Sequence, residues 1–276
     1  MARQVSAGQV YTLGPLIHNS RVLDSLKERG VICLESENSA DGILTAPEKS
    51  TVIIRAHGVP PAVERELARR GMVIIDATCP HVKVSQGKAG NFAANGYRVF
   101  LAGGKNHAEI KAILGYVQDS DPQSGFVVSN AAEAEAAAGE LHRREPGAKT
   151  ALIGQTTIRA EEYSAIGERI RRFFPSLETV DSICGATAER QRALGRLCVE
   201  AEALVIVGSR ESANTRRLLS LALEQGKPAW LVETAADLPA EISAYMSVGL
   251  SAGASTPDSL IDEVEEVLAS HGGIGA

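Results

Sequence analysis

The sequence predicts an α/β protein made of three similar α/β units with mainly parallel sheets. Short apolar runs rich in Val, Ile and Leu alternate with longer amphipathic patterns along nearly the whole chain of 276 residues. Several amphipathic patterns end in glycine, which favours the left-handed C-cap of a helix. A strand, a glycine, a polar loop and a helix start also recur along the chain, and such alternation is typical of βαβ units.

The predicted elements follow from these patterns in chain order. Apolar runs with the length and composition of strands are residues 9–13, 30–34, 50–56, 72–78, 97–103, 125–129, 149–154, 179–184, 203–209, 229–233 and 246–252. Amphipathic helices are predicted over residues 20–30, 60–71, 108–117, 160–174, 188–201, 214–226 and 257–271. The Ala- and Glu-rich segment 130–145 is predicted to be a surface helix.

The repeat places loops in corresponding positions. The segments "VYTLGPLIHN", "VFLAGGKNHAE" and "LVIVGSRESAN" form one set, and "VIIRAHGVPP", "ALIGQTTI" and "VGLSAGASTPD" form a second. They divide the chain into units of residues 1–79, 80–182 and 183–276. Because ligands of parallel sheets collect at the carboxyl ends of the strands, these loops are predicted to contribute to one composite site.

Composition excludes several classes of partner. Charged residues make up 22% of the chain and the net charge is −6, with no polybasic tract for nucleic acid or an acidic membrane. Aromatic residues make up only 4%, which is too few for platforms that stack bases. No apolar run is long enough to span a bilayer and no signal segment opens the chain. We therefore expect a cytoplasmic protein without nucleic-acid or membrane partners.

The predicted loops carry hydroxyl, amide, imidazole and carboxyl side chains. They are His18, Asn19, His57, His107, Glu109, Gln155, Thr156, Thr157, Ser209, Ser212, Asn214, Ser255 and Thr256. Several loops are glycine-containing turns that lead into a helix, whose free N–H groups and dipole favour phosphate. Neither a P-loop nor a full dinucleotide fingerprint is present, so the pattern favours a small diphosphate over a nucleotide. Taken singly, each Ser, Thr or Asn also fits an ordinary helix N-cap.

Two of the four cysteines stand at predicted strand ends. Cys79 in "DATCP" and Cys184 in "DSICGAT" each follow a short apolar run, with an aspartate just upstream. Thiolates there could hold a soft metal or an iron–sulfur cluster, although two alone are too few to hold a cluster securely. Cys33 and Cys198 lie within apolar periodic stretches and are predicted to be small buried hydrophobes. No CxxC pair occurs, which excludes a zinc ribbon.

The motifs together carry a family resemblance. In chain order they are "LIHN", "RAHGV", "DATCP", "NHAEI", "GQTT", "ICGAT" followed by "ERQ", "GS" followed by "ES" and "NT", and "SAGASTPD". From about Gln9 to Leu268 the chain resembles the 4-hydroxy-3-methylbut-2-enyl diphosphate reductases. Those enzymes perform the last step of the methylerythritol phosphate route to isoprenoids. One motif alone would be weak, but so many in the right order are highly specific.

The resemblance implies a fold, a cofactor and a reaction. The three α/β units would surround a central cavity that holds a 4Fe-4S cluster on three cysteines, with the fourth iron open for the substrate's hydroxyl. The reaction would be a two-electron reductive dehydroxylation that gives isopentenyl and dimethylallyl diphosphates and water. The family also implies ferredoxin or flavodoxin as the electron donor.

The resemblance also assigns residues. Glu109 matches the proton donor, with His107 and Thr156 beside it, and a glutamate facing a partly apolar cavity would have a raised pKa. Cys79 and Cys184 match two of the three cluster ligands. The positions that would bind the diphosphate substrate are His18, His57, His107, Thr156, Ser212, Ala213, Asn214 and Ser255.

The chain departs from the family's pattern in places. The family's first cluster cysteine lies in a "GFC" segment that has no counterpart here, so the third ligand is expected upstream of Met1. We expect roughly two dozen preceding residues to be missing through the choice of an internal Met as the start. The chain as written is then expected to hold a cluster poorly. Ala213 replaces a common Ser and Ala108 a usual Pro, and neither change abolishes the mechanism.

Two other interpretations stay open at this point. One is a non-catalytic phosphate-binding α/β protein whose cysteines are structural. The other is a different metalloenzyme, with zinc or iron on Cys79, Cys184 and a loop histidine. Brown iron–sulfur absorbance would separate a reductase from the first, and analysis of metal and sulfide would separate it from the second.

Overall fold

Three parallel β-sheets organise the part of the chain that the computed structural model describes, which is residues 9–16, 20–34 and 45–271. Sheets A and B belong to one compact unit, made of residues 1–16 and 24–184. Sheet C belongs to a second compact unit, made of residues 17–23 and 185–276. The predicted fold class, α/β with three parallel-sheet units, is confirmed, while the predicted boundaries 1–79, 80–182 and 183–276 stay a prediction.

Sheet A contains the first four strands in the order β2-β1-β3-β4. Its strands are β1 (Val10–Leu13), β2 (Val31–Leu34), β3 (Thr51–Ile54) and β4 (Val73–Asp76). Helix α1 (Ser20–Glu28) lies between β1 and β2, and helix α2 (Pro61–Arg69) lies between β3 and β4. Every pair of neighbouring strands is parallel, so the four carboxyl ends lie at the same edge of the sheet.

Sheet B repeats this arrangement in the order β6-β5-β7-β8. Its strands are β5 (Arg98–Ala102), β6 (Gly125–Val128), β7 (Thr150–Gly154) and β8 (Glu178–Thr179), and its helices are α3 (Pro80–Ala94), α4 (Ala108–Ser120), α5 (Ala131–Arg144) and α6 (Ala160–Arg171). Helices α5 and α6 form the core with one face of the sheet, and α3 and α4 with the other. Because both faces are covered, the central strands β5 and β7 read as almost continuous apolar runs.

Sheet C has the order β10-β9-β11 among the described residues. Its strands are β9 (Ala203–Val207), β10 (Ala229–Val232) and β11 (Val248–Ala252), and its helices are α7 (Gly185–Glu200), α8 (Ala213–Glu224) and α9 (Asp258–His271). All three strands are parallel, and two apolar clusters cover the faces of β9. Within residues 9–16, 20–34 and 45–271, no helix has the length and apolar character needed to cross a membrane.

Helix α3 is the element that the sequence pattern failed to predict. It contains Gly87 and Gly90, and glycine disfavours a helix interior by about 1 kcal/mol relative to alanine. The reason for a small residue is packing: a Cβ on Gly90 would lie 3.4 Å from the carbonyl oxygen of Tyr116 in α4. Small residues therefore let α3 and α4 approach closely, at the expense of the local helical signal.

Two further elements differ from prediction. Of the predicted strand 179–184 only Thr179 is regular strand, because β8 covers Glu178–Thr179 and the segment after it continues as irregular chain. Segment 130–145 does form a helix, α5, but it is not only a surface helix. Its residues Ala134, Ala138 and Leu141 are fully buried against sheet B, because an alanine face allows the helix to lie close to the strands.

Candidate active site

A buried glutamate lies at the carboxyl edge of sheet B. Glu109 stands in the first turn of α4 and is 1% exposed. Its Oε1 accepts a hydrogen bond from the backbone N–H of Thr156 at 2.7 Å, and its Oε2 lies 2.8 Å from the Thr156 hydroxyl oxygen. Burial raises the pKa of Glu109 to about 7, although the two hydrogen bonds from Thr156 oppose the rise. The carboxyl can therefore hold and release a proton near neutral pH.

Two loops at the ends of β5 and β7 position this carboxyl. His107 caps α4, since its Nδ1 accepts the backbone N–H of Glu109 at 3.3 Å. The buried amide of Gln155 joins the two loops: its Oε1 accepts the N–H of Gly104 at 3.2 Å, and its Nε2 donates to the hydroxyl of Thr157 at 2.7 Å. The loops that carry the acid and its hydrogen-bond partner are thus fixed to each other.

Two of the predicted histidines are in contact. The ring centroids of His57 and His107 are 5.1 Å apart, and their planes are nearly perpendicular at 81°. His57 follows β3, and the next residue, Gly58, has a φ of +70°. A Cβ on Gly58 would clash with Nε2 of the buried Gln86, so this turn requires glycine for both its dihedral angle and its space. The imidazole from sheet A therefore meets the imidazole from sheet B, close to Glu109.

Cys79 and Cys184 occupy equivalent places in their sheets. The backbone N–H of Cys79 donates to the carbonyl of Ala56 at 3.0 Å, and that of Cys184 donates to the carbonyl of Thr156 at 2.9 Å. Both thiols are free and partly buried, and each stands directly ahead of a helix. Pro80 after the first cysteine is the first residue of α3, where a missing N–H is tolerated. The Cys-Pro pair thus marks a strand end that turns at once into a helix.

Thr156 is the residue through which these features are connected. Its carbonyl accepts the hydrogen bond from Cys184, while its N–H and hydroxyl contact the carboxyl of Glu109. Its side chain is buried, with 8% exposure. Thr156 therefore holds the turn at Cys184 through its carbonyl and the acid through its N–H and hydroxyl groups.

The second unit carries the remaining predicted side chains at the ends of β9 and β11. The hydroxyl of Ser212 caps α8 by accepting the N–H of Thr215 at 3.4 Å. Asn214 is 5% exposed, and neither its Oδ1 nor its Nδ2 has a hydrogen-bond partner within the described part of the chain. Ala213 and Ser255 are partly exposed. A buried amide without partners is costly, so its presence favours a ligand that supplies them.

Cys79 and Cys184 supply soft thiol ligands, but the described residues do not supply a complete set of ligands for a metal ion or a cluster. Residues 9–16, 20–34 and 45–271 contain no group of three His, Cys, Asp or Glu side chains placed to hold a metal ion. The predicted third cysteine, expected upstream of Met1, lies outside the described residues, and so does His18, which is predicted to bind the substrate. Cys198 is buried, as predicted, but Cys33 is exposed because it lies on the edge strand β2, so that prediction was wrong.

Sequence reasoning missed three polar side chains that lie against turns or strands of the first unit. Gln86 and Ser182 are buried, and Tyr163 packs against Gly154. The tyrosine and the serine lie inside helix and strand patterns, where a polar side chain is easily taken for a solvent-facing one. A signal that could have identified Gln86 is its place among the apolar and small residues of a helix face, but α3 itself was not predicted.

Fold and site together define a class of α/β protein, with three parallel sheets, a buried carboxyl whose pKa lies near 7, a pair of imidazoles in contact, and cysteines at strand ends. Within that class the chain belongs to the LytB protein family, which matches residues 1–269. The 4-hydroxy-3-methylbut-2-enyl diphosphate reductase of Treponema denticola is 42% identical over 259 residues, which cover 94% of this chain and 87% of the relative. The reductase of the same name from Aquifex aeolicus is 36% identical over 261 residues, which cover 94% and 85%.

Solved structures agree with this membership. The E-1-hydroxy-2-methyl-but-2-enyl-4-diphosphate reductase of Plasmodium falciparum superimposes with a TM-score of 0.85 at 25% identity, over 96% of this chain and 79% of that one. A second structure, (E)-4-hydroxy-3-methyl-but-2-enyl diphosphate reductase, described as the terminal enzyme of the non-mevalonate pathway, gives a TM-score of 0.68 at 34% identity. It matches 98% of this chain and 91% of its own. The family resemblance found in the motifs is therefore confirmed along nearly the whole chain.

Proposed function

We propose that this chain is a reductase that converts 4-hydroxy-3-methylbut-2-enyl diphosphate into isopentenyl and dimethylallyl diphosphates, the last step of the methylerythritol phosphate pathway. The observation that carries the proposal is the buried Glu109, whose pKa of about 7 and two bonds to Thr156 make it a proton donor at neutral pH. Relatives at 36% and 42% identity are reductases of this name. A non-catalytic phosphate-binding protein is accordingly not favoured.

The reaction is balanced by two electrons and two protons. The C–O bond of the substrate's allylic hydroxyl breaks, and the oxygen leaves as water after it takes up one proton. The two electrons remain on the allylic carbon frame, and a second proton adds to carbon to give either isomer. Hydroxide is a poor leaving group, so protonation of this oxygen is the step that an acid in the protein must assist.

Glu109 is suited to that step by its surroundings. Burial keeps the carboxyl protonated up to about pH 7, where an exposed glutamate would be ionised. The Thr156 hydroxyl, 2.8 Å from Oε2, can accept the carboxyl proton and pass on its own, or donate to the carboxylate once the proton has left. The neighbouring imidazole of His107 caps the helix that carries the acid, so it also keeps the carboxyl in place.

The diphosphate end of the substrate would be bound by hydrogen-bond donors. As the family resemblance implies, we propose that the residues that bind the diphosphate are His18, His57, His107, Thr156, Ser212, Ala213, Asn214 and Ser255. The unpartnered amide of the buried Asn214 supports this assignment, because a phosphate oxygen would accept its N–H group. Hydrogen bonds to a charged phosphate are stronger than neutral ones, and more so where water is excluded.

Cys79 and Cys184 are the proposed cluster ligands within the chain. Their thiols are soft, free and placed at equivalent strand ends, which suits iron–sulfur ligation. A bound 4Fe-4S cluster would supply the two electrons and Lewis-acid chemistry, replenished by a ferredoxin or flavodoxin. The four free cysteines also support a reducing, cytoplasmic location.

The test is turnover, expressed per iron bound, by the chain purified without oxygen and reconstituted with iron and sulfide, since the sequence predicts that the chain as written holds a cluster poorly. With a chemical reductant we expect the diphosphate substrate to be consumed and both isomeric products to appear by mass spectrometry. Glu109→Gln should lower kcat by about 100-fold or more, because the glutamine cannot give a proton. Glu161→Gln, an exposed residue at the start of α6, is the matched control and should keep the wild-type rate. An iron-loaded wild type without products, or a fully active Glu109→Gln, would overturn the assignment.

A further inference from the structure

The chain that leads from β8 to Cys184 has little regular secondary structure to hold it. Strand β8 contains only residues 178 and 179, paired with β7. Beyond it, the N–H of Val180 donates to the carbonyl of Leu152 at 3.0 Å, and the N–H of Cys184 donates to that of Thr156 at 2.9 Å. Two backbone bonds spread over five residues leave the segment 180–184 free to separate from β7 unless side chains restrain it.

A tyrosine on α6 supplies such a restraint. The hydroxyl of Tyr163 lies 2.8 Å from the carbonyl oxygens of both Leu152 and Val180, so it bridges β7 and the segment that follows β8. Its single proton can be donated to only one carbonyl at a time, and either hydrogen bond joins α6 to the seam, by which we mean the contact between β7 and the segment 180–184. Burial raises the pKa of Tyr163 to about 12, so the phenol keeps that proton at physiological pH.

A serine reinforces the same seam two residues before the cysteine. The hydroxyl of Ser182 is 5% exposed and accepts the backbone N–H of Gly154 at 2.8 Å. The ring of Tyr163 fills the space over Gly154: a Cβ there would lie 2.9 Å from Cδ2 of the ring and 3.0 Å from the serine oxygen. The first contact is closer than real Cβ atoms show and the second is tighter than most, so a side chain at Gly154 would displace the tyrosine or the serine.

We propose that Tyr163, assisted by Ser182, is a positioning residue that holds Cys184 in register with Thr156 and so directs its thiol to the site. The inference rests on the proposed function only in giving that thiol a purpose as a cluster ligand. The placement itself follows from the hydrogen bonds around Leu152 and Val180. Without the phenol, the segment 180–184 would retain its backbone bonds but would open more often, and the thiol would sample other directions.

The test measures the reactivity of each thiol in the metal-free chain, and therefore does not depend on reductase activity. Native protein is treated with iodoacetamide for increasing times, digested with trypsin and analysed by mass spectrometry. Cys79, Cys184 and Cys198 fall in different tryptic peptides, so their alkylation rates are read separately from one sample. Cys79 reports on the rest of the first unit, and the buried Cys198 reports on unfolding of the second.

Tyr163→Phe removes only the hydroxyl, and we expect alkylation of Cys184 to accelerate about tenfold, as the loss of one hydrogen bond predicts. The rates of Cys79 and Cys198 should stay within about twofold of the wild type. Ser182→Ala should accelerate Cys184 in the same direction. Tyr97→Phe is the matched control, because its hydroxyl bonds Glu178 at the other end of β8. It should change none of the three rates.

Three outcomes would overturn the inference. They are an unchanged Cys184 rate in Tyr163→Phe, an unchanged rate in Ser182→Ala, and an equal acceleration of Cys79 and Cys184, which would indicate general loosening of the unit. Iron bound after reconstitution gives a second readout and should fall in Tyr163→Phe but not in Tyr97→Phe. A chain with the expected thiol rates that converts no diphosphate would contradict the proposed function and leave the positioning role intact.

Discussion

Replacing Glu109 with glutamine should remove a pH dependence from the stability of the first unit. The pKa of this buried carboxyl is about 7 in the folded chain, against an ordinary value of 4.5. Because the folded pKa is raised, the stabilising contribution is fully present below about pH 4.5 and is lost as the pH rises through 7. At 1.36 kcal/mol for each pKa unit, the difference corresponds to about 3 kcal/mol in the free energy of unfolding.

Glutamine has nearly the shape of the protonated carboxyl but does not titrate. Its amide can still accept the N–H of Thr156, so the loops should remain in place near pH 4.5. Between pH 4.5 and pH 8, the free energy of unfolding of Glu109→Gln should therefore rise by about 3 kcal/mol relative to the wild type. The variant is expected to lose activity and to gain relative stability in the same pH range.

Urea unfolding followed by far-UV circular dichroism at several pH values would measure this difference. Tryptophan fluorescence is unsuitable, because the single tryptophan, Trp230, lies in the second unit and Glu109 lies in the first. Glu161→Gln, at an exposed position, is the control and should follow the wild type at every pH. A stability difference between Glu109→Gln and wild type that stays constant from pH 4.5 to 8 would refute the reasoning.

Three further predictions concern neighbouring features. Thr156→Val removes a hydroxyl that favours the charged form of Glu109, so the pKa of Glu109 should rise and the alkaline limb of kcat/KM should move up by about one pH unit. Gly58→Ala should destabilise the chain in urea by about 2 kcal/mol more than Gly96→Ala, since both residues have positive φ but only the first has neighbours that a Cβ would meet. Cys79→Ser should lower the iron bound after anaerobic reconstitution by about half or more.

Each of these has a matched control within the chain. Thr156→Ser keeps the hydroxyl and should leave the pH profile where it is in the wild type. Cys33→Ser changes an exposed thiol on an edge strand and should bind as much iron as the wild type. A pH profile unchanged by the valine, equal stability losses for the two glycines, or equal iron losses for Cys33→Ser and Cys79→Ser would each contradict the structural reasoning.

The α/β class was predictable because parallel strands that are covered on both faces consist almost entirely of apolar residues. Strands β5, β7 and β9 are covered on both faces and appear as apolar runs that are continuous apart from the first residue of β5 and of β7. Helix α3 was not predictable in the same way, since its buried face contains one valine, two alanines and the polar residues Ser85 and Gln86. Its helical state comes from close packing on α4, which no local pattern records.

The site was predictable to the extent that its residues stand at strand ends. Glu109, Thr156, Cys79 and Cys184 were all identified from their place after an apolar run. The roles of side chains that contact residues distant in the sequence were not predictable. Tyr163 lies near the start of α6, and only the tertiary structure shows that its hydroxyl reaches the carbonyls of Leu152 in β7 and of Val180 after β8.

Both cysteine turns are anchored by the amide of the cysteine and not by its sulfur. The N–H groups of Cys79 and Cys184 donate to neighbouring carbonyls, and neither bond uses the side chain. An isosteric replacement of sulfur by selenium at either position should consequently preserve the shape of the turn. This makes each position suitable for a spectroscopic label that distinguishes one proposed cluster ligand from the other.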